Sequence, residues 1–198
     1  MCCSFYFEKR AHDFEPLCIC CSESSALEKE AKKPYEPAMM NVFRGEVRER
    51  MFREGLFDLC VYNRPFDGQT QPRVMIESLA VVAIMALVNG RQIQSINSFV
   101  LDYENRKNPR PLNKFLIGNL LAEALEFVHR NESITQRAIE LENTGIMGMD
   151  ALHVACAEES KADYFVSCDD VLVKKLRRVE DLKVQAVGLL EFVSKEVF

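Results

Sequence analysis

Residues 150–170 read DALHVACAEESKADYFVSCDD, a stretch in which a helix and then a strand each carry an acid at one end. Asp150 opens a helix-like segment that ends near Ser160, and Asp169 closely follows the strand-like segment over residues 164–167. A short apolar strand between helices is typical of a parallel sheet that is covered on both faces. This stretch therefore predicts an α/β fold with acidic side chains near one end of its sheet.

Segments with strand and helix character alternate from Leu56 to the C-terminus. Strands are expected over residues 56–61, 93–96, 164–167 and 184–187. Helices are expected from Pro72 to Asn89, from a cap at Ser98 to Asn108, and over residues 112–129, 133–145, 150–160, 171–179 and 188–197. The pattern predicts a three-layer α/β/α domain with a central parallel sheet over residues 55–198.

The composition sets broad limits on the class of protein. The chain has 198 residues, of which 48% are hydrophobic, so it can bury one good core and carry a small extension. Its net charge of −5 argues against nucleic-acid binding by bulk charge, although a local basic patch remains compatible with it. The apolar stretch from Leu79 to Val88 is too short to span a bilayer and indicates a buried helix. We expect a cytoplasmic protein without a membrane segment.

Residues 1–54 differ in composition from the rest and are expected to form a poorly ordered N-terminal extension. His12 with Cys18, Cys20 and Cys21 matches no established zinc spacing, and metal binding there stays an open alternative. A second open alternative is that the native chain starts further downstream, at Met40 or Met51. In the remaining domain, the cysteines are expected to be buried free thiols; they are Cys60, Cys156 and Cys168.

Two acids stand in otherwise apolar surroundings. Asp58 interrupts the apolar run over residues 56–61, and Glu104 falls on the apolar arc of its helix, with Asp102 and Asn105 expected on the opposite side. A carboxylate that faces a core is costly unless it is paired, protonated or bound to a metal. Together with Asp150 and Asp169 these residues predict a shared site for a hard cation.

The two later acids and the nearby histidine also have a structural explanation. Asp150 and Asp169 each stand at a helix start, where a carboxylate caps free N–H groups, and Asp170 shares that position. His153, one turn after Asp150, is more typical of a hydrogen-bonded packing residue than of a ligand. Only the combination with Asp58 and Glu104 favours a common site.

Four segments in this order resemble the PIN-domain nucleases, including the VapC-type toxin ribonucleases. The first is the opening acid with its loop (58–67), and the second is the helix with Glu104. The third, Met149–Ala157, is similar to the family's Asp-Ala-Leu-His-Leu-Ala segment. The fourth is the segment 162–170, with Ser167 where the family has threonine. The resemblance extends from Leu56 to the C-terminus. Arg53, Glu54 and Gly55 stand where the family has apolar residues, which predicts a shortened first strand.

The resemblance implies an endoribonuclease that hydrolyses RNA phosphodiester bonds with Mg²⁺ or Mn²⁺. It implies four metal ligands, which are Asp58, Glu104, Asp150 and Asp169. Ser167 would orient Asp169 or a water, and Asp170 would support the site from outside the ligand set. Arg64, Arg73 and Lys174 are candidates for phosphate contacts. The partners implied are RNA and, as candidates, an antitoxin protein and a second copy of the chain.

Three other classes of protein share some of these features. A PIN-like RNA-binding or scaffold module without turnover would keep the fold, although it would be free to lose one of the four acids. A phosphatase of the haloacid-dehalogenase type would need an acid two residues after Asp58, where this chain has Cys60. A receiver domain would need its acidic pair near the first strand, whereas Asp169 and Asp170 come late.

Overall fold

The computed structural model describes residues 52–196, so the predicted disorder of residues 1–51 and the alternative zinc site lie outside the described residues. Arg53 and Glu54, which were assigned to the poorly ordered extension, instead belong to a strand. The strands are β1 (Arg53–Phe57), β2 (Ile93–Ser98), β3 (Glu126–Val128), β4 (Tyr164–Ser167) and β5 (Gln185–Gly188). The helices are α1 (Leu59–Asn63), α2 (Pro72–Asn89), α3 (Phe99–Arg106), α4 (Pro111–Ala122), α5 (Glu132–Asn143), α6 (Gly148–Glu159), α7 (Asp170–Leu176) and α8 (Leu189–Glu196), with a 3₁₀ turn at Arg64–Phe66. The predicted α/β class is confirmed.

The five strands form one parallel sheet in the order β3-β2-β1-β4-β5. Strand β1 is central, since Gly55 aligns with Ser95 of β2 on one side and with Tyr164 of β4 on the other. The chain passes from β1 to β2 and β3, and then returns to β4 on the opposite side of β1. The topological switch point therefore lies between β1 and β4, where open α/β sheets usually bind ligands.

Helices cover both faces of the sheet. Consecutive residues of a strand point to opposite faces, and both Leu56 and Phe57 of β1 are fully buried, as are Phe165 and Val166 of β4. Helix α6 packs against β1, β2 and β4, while α2 and α8 pack on each other and against β2 and β5, respectively. Burial on both faces explains why these strands lack the alternation of polar and apolar residues, and the three-layer prediction is confirmed.

Strand β1 is displaced from its predicted position. It begins at Arg53 and ends at Phe57, whereas the sequence predicted a strand over residues 56–61. The polar residues Arg53 and Glu54 belong to the strand because they align with Ile93 and Gln94 of β2. The strand ends because the Asp58 N–H still donates to Val166 O at 2.9 Å, while Asp58 O accepts from Val61 N at 2.9 Å and begins α1. The first strand is therefore not shortened.

The helix predicted over residues 112–129 is wrong in its second half. Helix α4 ends at Ala122, and residues 126–128 form the edge strand β3, which aligns with Ile96, Asn97 and Ser98 of β2. A local helical pattern was overridden by pairing with a distant strand. The cap predicted at Ser133 is also displaced, because Asn131 Oδ1 accepts from Ile134 N at 2.8 Å at the start of α5.

Helix α2 has the predicted bounds but only one buried face. Val81 and Ile84 are fully covered, whereas Leu79 and Val82 are 65% and 61% exposed. Among residues 52–196 it is the one helix that is long and apolar enough to cross a membrane by length and composition, a criterion that core helices also meet. The buried Glu77 of this helix forms ion pairs with Arg64 and Arg73.

A buried ion pair joins α5 to α6. The side chain of Glu158 on α6 is 3% exposed, and its Oε2 accepts from Arg137 Nε at 2.6 Å. Its Oε1 accepts from Arg137 Nη2 at 3.2 Å and from the Lys183 N–H at 2.9 Å. Arg137 also contacts the exposed carboxylates of Glu140 and Asp181. Glu158 thus fixes α5 and the segment before β5 to α6, the helix that carries Asp150.

We predict that Glu158→Ala destabilises the protein by about 3–5 kcal/mol, because it leaves the nearly buried Arg137 guanidinium without its enclosed partner. The matched control is Glu140→Ala, which removes an exposed partner of the same arginine and should cost less than about 1 kcal/mol. Unfolding in denaturant measures both free energies. Equal losses in the two variants would contradict the role assigned to Glu158.

Candidate metal centre

Two neighbouring strands bring the first and last of the predicted ligands to the same edge of the sheet. Asp58 directly follows β1, and Asp169 comes two residues after the end of β4. These strands pair in parallel, with Phe57 aligned to Val166, so their carboxyl ends lie side by side. Asp58 and Asp169 therefore flank the switch point between β1 and β4.

Asp58 is held by hydrogen bonds from β4 and α1. The Ser167 hydroxyl donates to Asp58 Oδ2 at 2.7 Å, and the Cys60 thiol donates to the same oxygen at 3.0 Å. Ser167 Oγ also accepts from the Asp169 N–H at 3.1 Å. Ser167 was predicted to orient Asp169 or a water; in the structure it contacts the backbone of Asp169 and the carboxylate of Asp58.

Glu104 faces the histidine of α6. Its Oε2 lies 2.6 Å from His153 Nε2, and the His153 side chain is 2% exposed. The buried Nδ1 of His153 has no hydrogen-bond partner within residues 52–196. His153 Nε2 can donate its proton to Glu104, while Nδ1 faces no acceptor among these residues.

The helical phase predicted for α3 is only partly correct. Glu104 does point toward His153 of α6, and 28% of the Glu104 side chain is exposed. Asn105 was expected on the opposite, solvated side, but it is buried and donates from Nδ2 to Lys114 O at 3.0 Å. Tyr103, expected on the apolar arc, is 45% exposed. The cause is α4, which packs against α3 and covers the side that Asn105 occupies.

One candidate cation site is present among the described residues. One ligand atom each from Asp58, Glu104 and His153 lies within 4.8 Å of the other two. Asp58 and Glu104 are 46 positions apart in the chain, and they meet at the carboxyl ends of β1 and β2. His153 was predicted to be a packing residue, and the signal in the sequence for a role in the site was its position one turn after Asp150.

Asp150 shares the electric field of this cluster. Burial raises the pKa of its carboxyl group, and the neighbouring carboxylates of Asp58, Asp169 and Glu104 raise it further, while His153 opposes them. Asp150 is therefore close enough to Asp58, Glu104 and Asp169 to be repelled by each of them. A divalent cation would relieve this repulsion, and a set of carboxylate oxygens fits the preferences of Mg²⁺ and Mn²⁺.

Asp169 and Asp170 differ in their surroundings. Asp169 Oδ1 caps α7 by accepting from Val171 N at 2.7 Å and Leu172 N at 3.1 Å, which leaves Oδ2 outside the cap. Asp170 is exposed and accepts two hydrogen bonds from Arg73, at 2.6 and 2.8 Å. These bonds lower the pKa of the Asp170 carboxyl group.

The basic residues predicted to contact substrate have partners within the chain. Arg73 contacts Asp170 and Glu77, and Arg64 lies 2.9 Å from Glu77 and 3.1 Å from Asp67. Lys174 is exposed and lines a separate cavity together with Arg73 and Asp170. A phosphate contact by Arg64 or Arg73 would require these ion pairs to open.

A cavity of about 540 Å³ opens beside Glu104. Part of its wall is polar or basic and is formed by Asn63, Lys107, Asn108, Arg110 and Asn113. The wall also includes Tyr103. Lys107 Nζ lies 4.0 Å from the centre of the Tyr103 ring. Neither Lys107 nor Arg110 forms an ion pair within the described part of the chain.

We predict that Asp150→Asn stabilises the metal-free protein at neutral pH. Because the pKa of Asp150 is raised, the folded state disfavours the ionised side chain. The contribution of Asp150 to the stability of the folded state is therefore favourable below the pKa of an unfolded aspartate, about 3.9, and it is lost as the pH rises through the folded pKa. Asparagine removes the penalty. Thermal unfolding with a chelator should show a higher midpoint than wild type near pH 7 and no difference near pH 3. A lower midpoint at pH 7 would contradict the proximity of the four carboxylates.

Comparison with known proteins finds similarity among solved structures. No family model and no curated protein matches the chain. Among solved structures, the chain is similar to VapBC2 from Rickettsia felis bound to a DNA fragment from their promoter. The TM-score is 0.44 at 15% identity, and the similarity covers 68% of this chain and 98% of that chain. A similarity of this size carries no argument about activity or partners.

Proposed function

We propose that this chain is a Mg²⁺- or Mn²⁺-dependent ribonuclease that hydrolyses RNA phosphodiester bonds at the cluster of Asp58, Glu104, Asp150 and Asp169. The observation that carries the proposal is the convergence of acids from separate parts of the chain: one ligand atom each from Asp58, Glu104 and His153 lies within 4.8 Å of the other two, and Asp58, Glu104 and Asp169 all raise the pKa of Asp150. Burying Asp150 beside these carboxylates costs stability, and packing alone gives no reason to gather them. The resemblance of the four sequence segments to PIN-domain nucleases points to the same chemistry.

Each side chain has a distinct task in this proposal. Asp58 and Glu104 bind the cation, and Asp150 and Asp169 bind it directly or through water. Ser167 fixes the Asp58 carboxylate by its 2.7 Å hydrogen bond, and His153 fixes Glu104 by its 2.6 Å contact. A bound Mg²⁺ or Mn²⁺ ion lowers the pKa of a water and offsets the charge that develops on the phosphate and the leaving oxygen. This set of ligands is compatible with one ion or with two.

The cavity beside Glu104 is the proposed path of the RNA strand. Lys107 and Arg110, which form no ion pair among the described residues, can contact backbone phosphates, and the asparagines on its wall can donate hydrogen bonds to phosphate or sugar oxygens. The exposed Tyr103 offers an aromatic face next to a cation, a combination that binds unpaired bases by stacking. A local basic wall of this kind is compatible with a chain whose net charge is −5.

The partners remain proposals. The resemblance to VapC-type toxins suggests the toxin of a toxin–antitoxin pair, with an antitoxin protein and a second copy of the chain as candidate partners. Arg64, Arg73 and Lys174 stay proposed phosphate contacts. Of these three residues, Lys174 forms no ion pair within residues 52–196, so it is the alternative to Lys107 as a contact for a backbone phosphate.

Cleavage of RNA by the purified full chain tests the proposed activity. We expect cleavage with Mn²⁺ or Mg²⁺, none with a chelator, and a loss of about 100-fold or more in Asp58→Asn and Glu104→Gln, since even residues that only support a metal ligand are worth up to about 100-fold. Calorimetric Mn²⁺ titration should show weaker binding in the same variants.

The matched control is Glu123→Gln, which makes the same chemical change at an exposed glutamate after α4 and should leave cleavage and Mn²⁺ binding unchanged. Mn²⁺ binding with RNA binding but without cleavage would indicate the binding or scaffold module instead. Cleavage that survives in Glu104→Gln would show that a different site, or a contaminant, is responsible.

We predict that Lys107→Ala weakens RNA binding without changing Mn²⁺ affinity. Removing one interaction with a phosphate of single-stranded RNA should reduce the slope of log affinity against log salt by about 0.7. Binding of a fluorescent single-stranded RNA, measured over a range of salt concentrations in Glu104→Gln to prevent cleavage, gives this slope. Lys174→Ala is the paired variant. A reduced slope in Lys174→Ala together with an unchanged slope in Lys107→Ala would move the RNA path to the cavity lined by Arg73, Asp170 and Lys174.

A further inference from the structure

Two free cysteines lie next to each other at the carboxyl ends of β1 and β4. Cys60 is the second residue of α1, and Cys168 directly follows β4. The backbone N–H of Cys168 donates to Cys60 Sγ at 3.2 Å. Cys60 Sγ also lies 3.3 Å from Ser167 Oγ and 3.0 Å from Asp58 Oδ2. The thiols therefore belong to the network that holds Asp58.

We propose that a peroxide converts Cys60 and Cys168 into a disulfide, and that this bond switches off the metal centre. One thiol attacks the O–O bond of hydrogen peroxide and becomes a sulfenic acid, with release of one water. The second thiol attacks that sulfur and expels a second water. The two thiols are oxidised by two electrons in total, the peroxide is reduced to two waters, and both thiol hydrogens leave in those waters.

The pair is suited to this reaction by position. Cys60 is partly exposed, which gives a peroxide access, and its Sγ lies 3.2 Å from the backbone nitrogen of Cys168, which places the second cysteine beside it. The third thiol of the described residues, Cys156, is fully buried in α6. A disulfide between Cys60 and Cys168 would link two segments that β1–β4 pairing already aligns.

The effect on the site follows from the hydrogen bond that the disulfide removes. A disulfide sulfur has no hydrogen to donate, so Asp58 Oδ2 no longer accepts the 3.0 Å hydrogen bond from Cys60 and keeps only Ser167. Formation of the S–S bond also draws Cys60 toward the segment that carries Asp169. Loss of a residue that orients a metal ligand typically lowers metal affinity by about 10- to 100-fold. This regulatory half of the inference rests on the proposed metal centre, whereas the covalent half does not.

Peptide mapping of the full chain tests the covalent half. Trypsin cleaves after Arg53, Arg73, Lys161 and Lys174 but not between Arg64 and Pro65, so Cys60 falls in peptide 54–73, Cys168 in peptide 162–174 and Cys156 in peptide 138–161. After treatment with a small excess of hydrogen peroxide, mass spectrometry without reductant should find peptides 54–73 and 162–174 linked, and a thiol reductant should separate them. Absence of this linked pair overturns the inference.

Mn²⁺ titration of the same samples tests the regulatory half. We expect Mn²⁺ affinity to fall about 10-fold or more after peroxide and to return after reduction. Cys168→Ser cannot form the bond and should keep its affinity after the same treatment, while Cys156→Ser should respond like wild type. If Cys168→Ser does not fold, Cys168→Ala takes its place.

The outcomes separate this inference from the proposed function. An oxidised protein that contains the linked peptides but binds Mn²⁺ unchanged overturns the regulatory half. A reduced protein that binds no Mn²⁺ overturns the proposed metal centre, and the linked peptides then still decide whether the disulfide forms. Loss of Mn²⁺ affinity in peroxide-treated Cys168→Ser would place the sensitive thiol elsewhere and overturn the inference as well.

Discussion

Parallel pairing of β1 with both β2 and β4 determines where every acid of the candidate site lies. Parallel strands present their carboxyl ends at one edge, so the residues that follow β1, β2 and β4 meet even though they are far apart in the chain. Asp58 follows β1, α3 with Glu104 follows β2, and Asp169 follows β4. Helix α6 then crosses these strands and adds Asp150 and His153.

Hydroxyl, thiol, imidazole and backbone donors orient the acids of the cluster. Ser167 and Cys60 donate to Asp58, His153 contacts Glu104, and backbone N–H groups of α7 donate to Asp169. Fully charged partners, such as Arg64 and Arg73, are instead occupied by Glu77 and Asp170 outside the cluster. Neutral donors orient a carboxylate while leaving its negative charge uncompensated, which is the state that a cation would bind most strongly.

Sequence patterns predicted the class of fold and the succession of helices and strands from α5 onward, while the four acids as metal ligands stay a prediction. The strand over residues 164–167 and helix α2 were placed correctly because they are apolar runs with clear boundaries at Pro72 and Asn89. Strand β1 was misplaced because Arg53 and Glu54 enter the sheet only through their alignment with β2, a partner some 40 residues later. Edge strand β3 was hidden in a helical pattern for the same reason. The contact between Glu104 and His153, and that between the two thiols, depend on side-chain directions that no spacing in the chain fixes.

The order of the strands also has a consequence during synthesis. Asp58 and Ser167 are 109 residues apart, and β1 gains its second neighbour only when β4 has been made. An incomplete chain that already contains Asp58, Glu104 and even Asp150 still lacks the strand that fixes the first acid, and such long-range pairing forms late and slowly. Under the proposed function, a nascent chain of this topology would lack the hydrogen bond that fixes Asp58 until β4 has left the ribosome, whose own RNA lies close by.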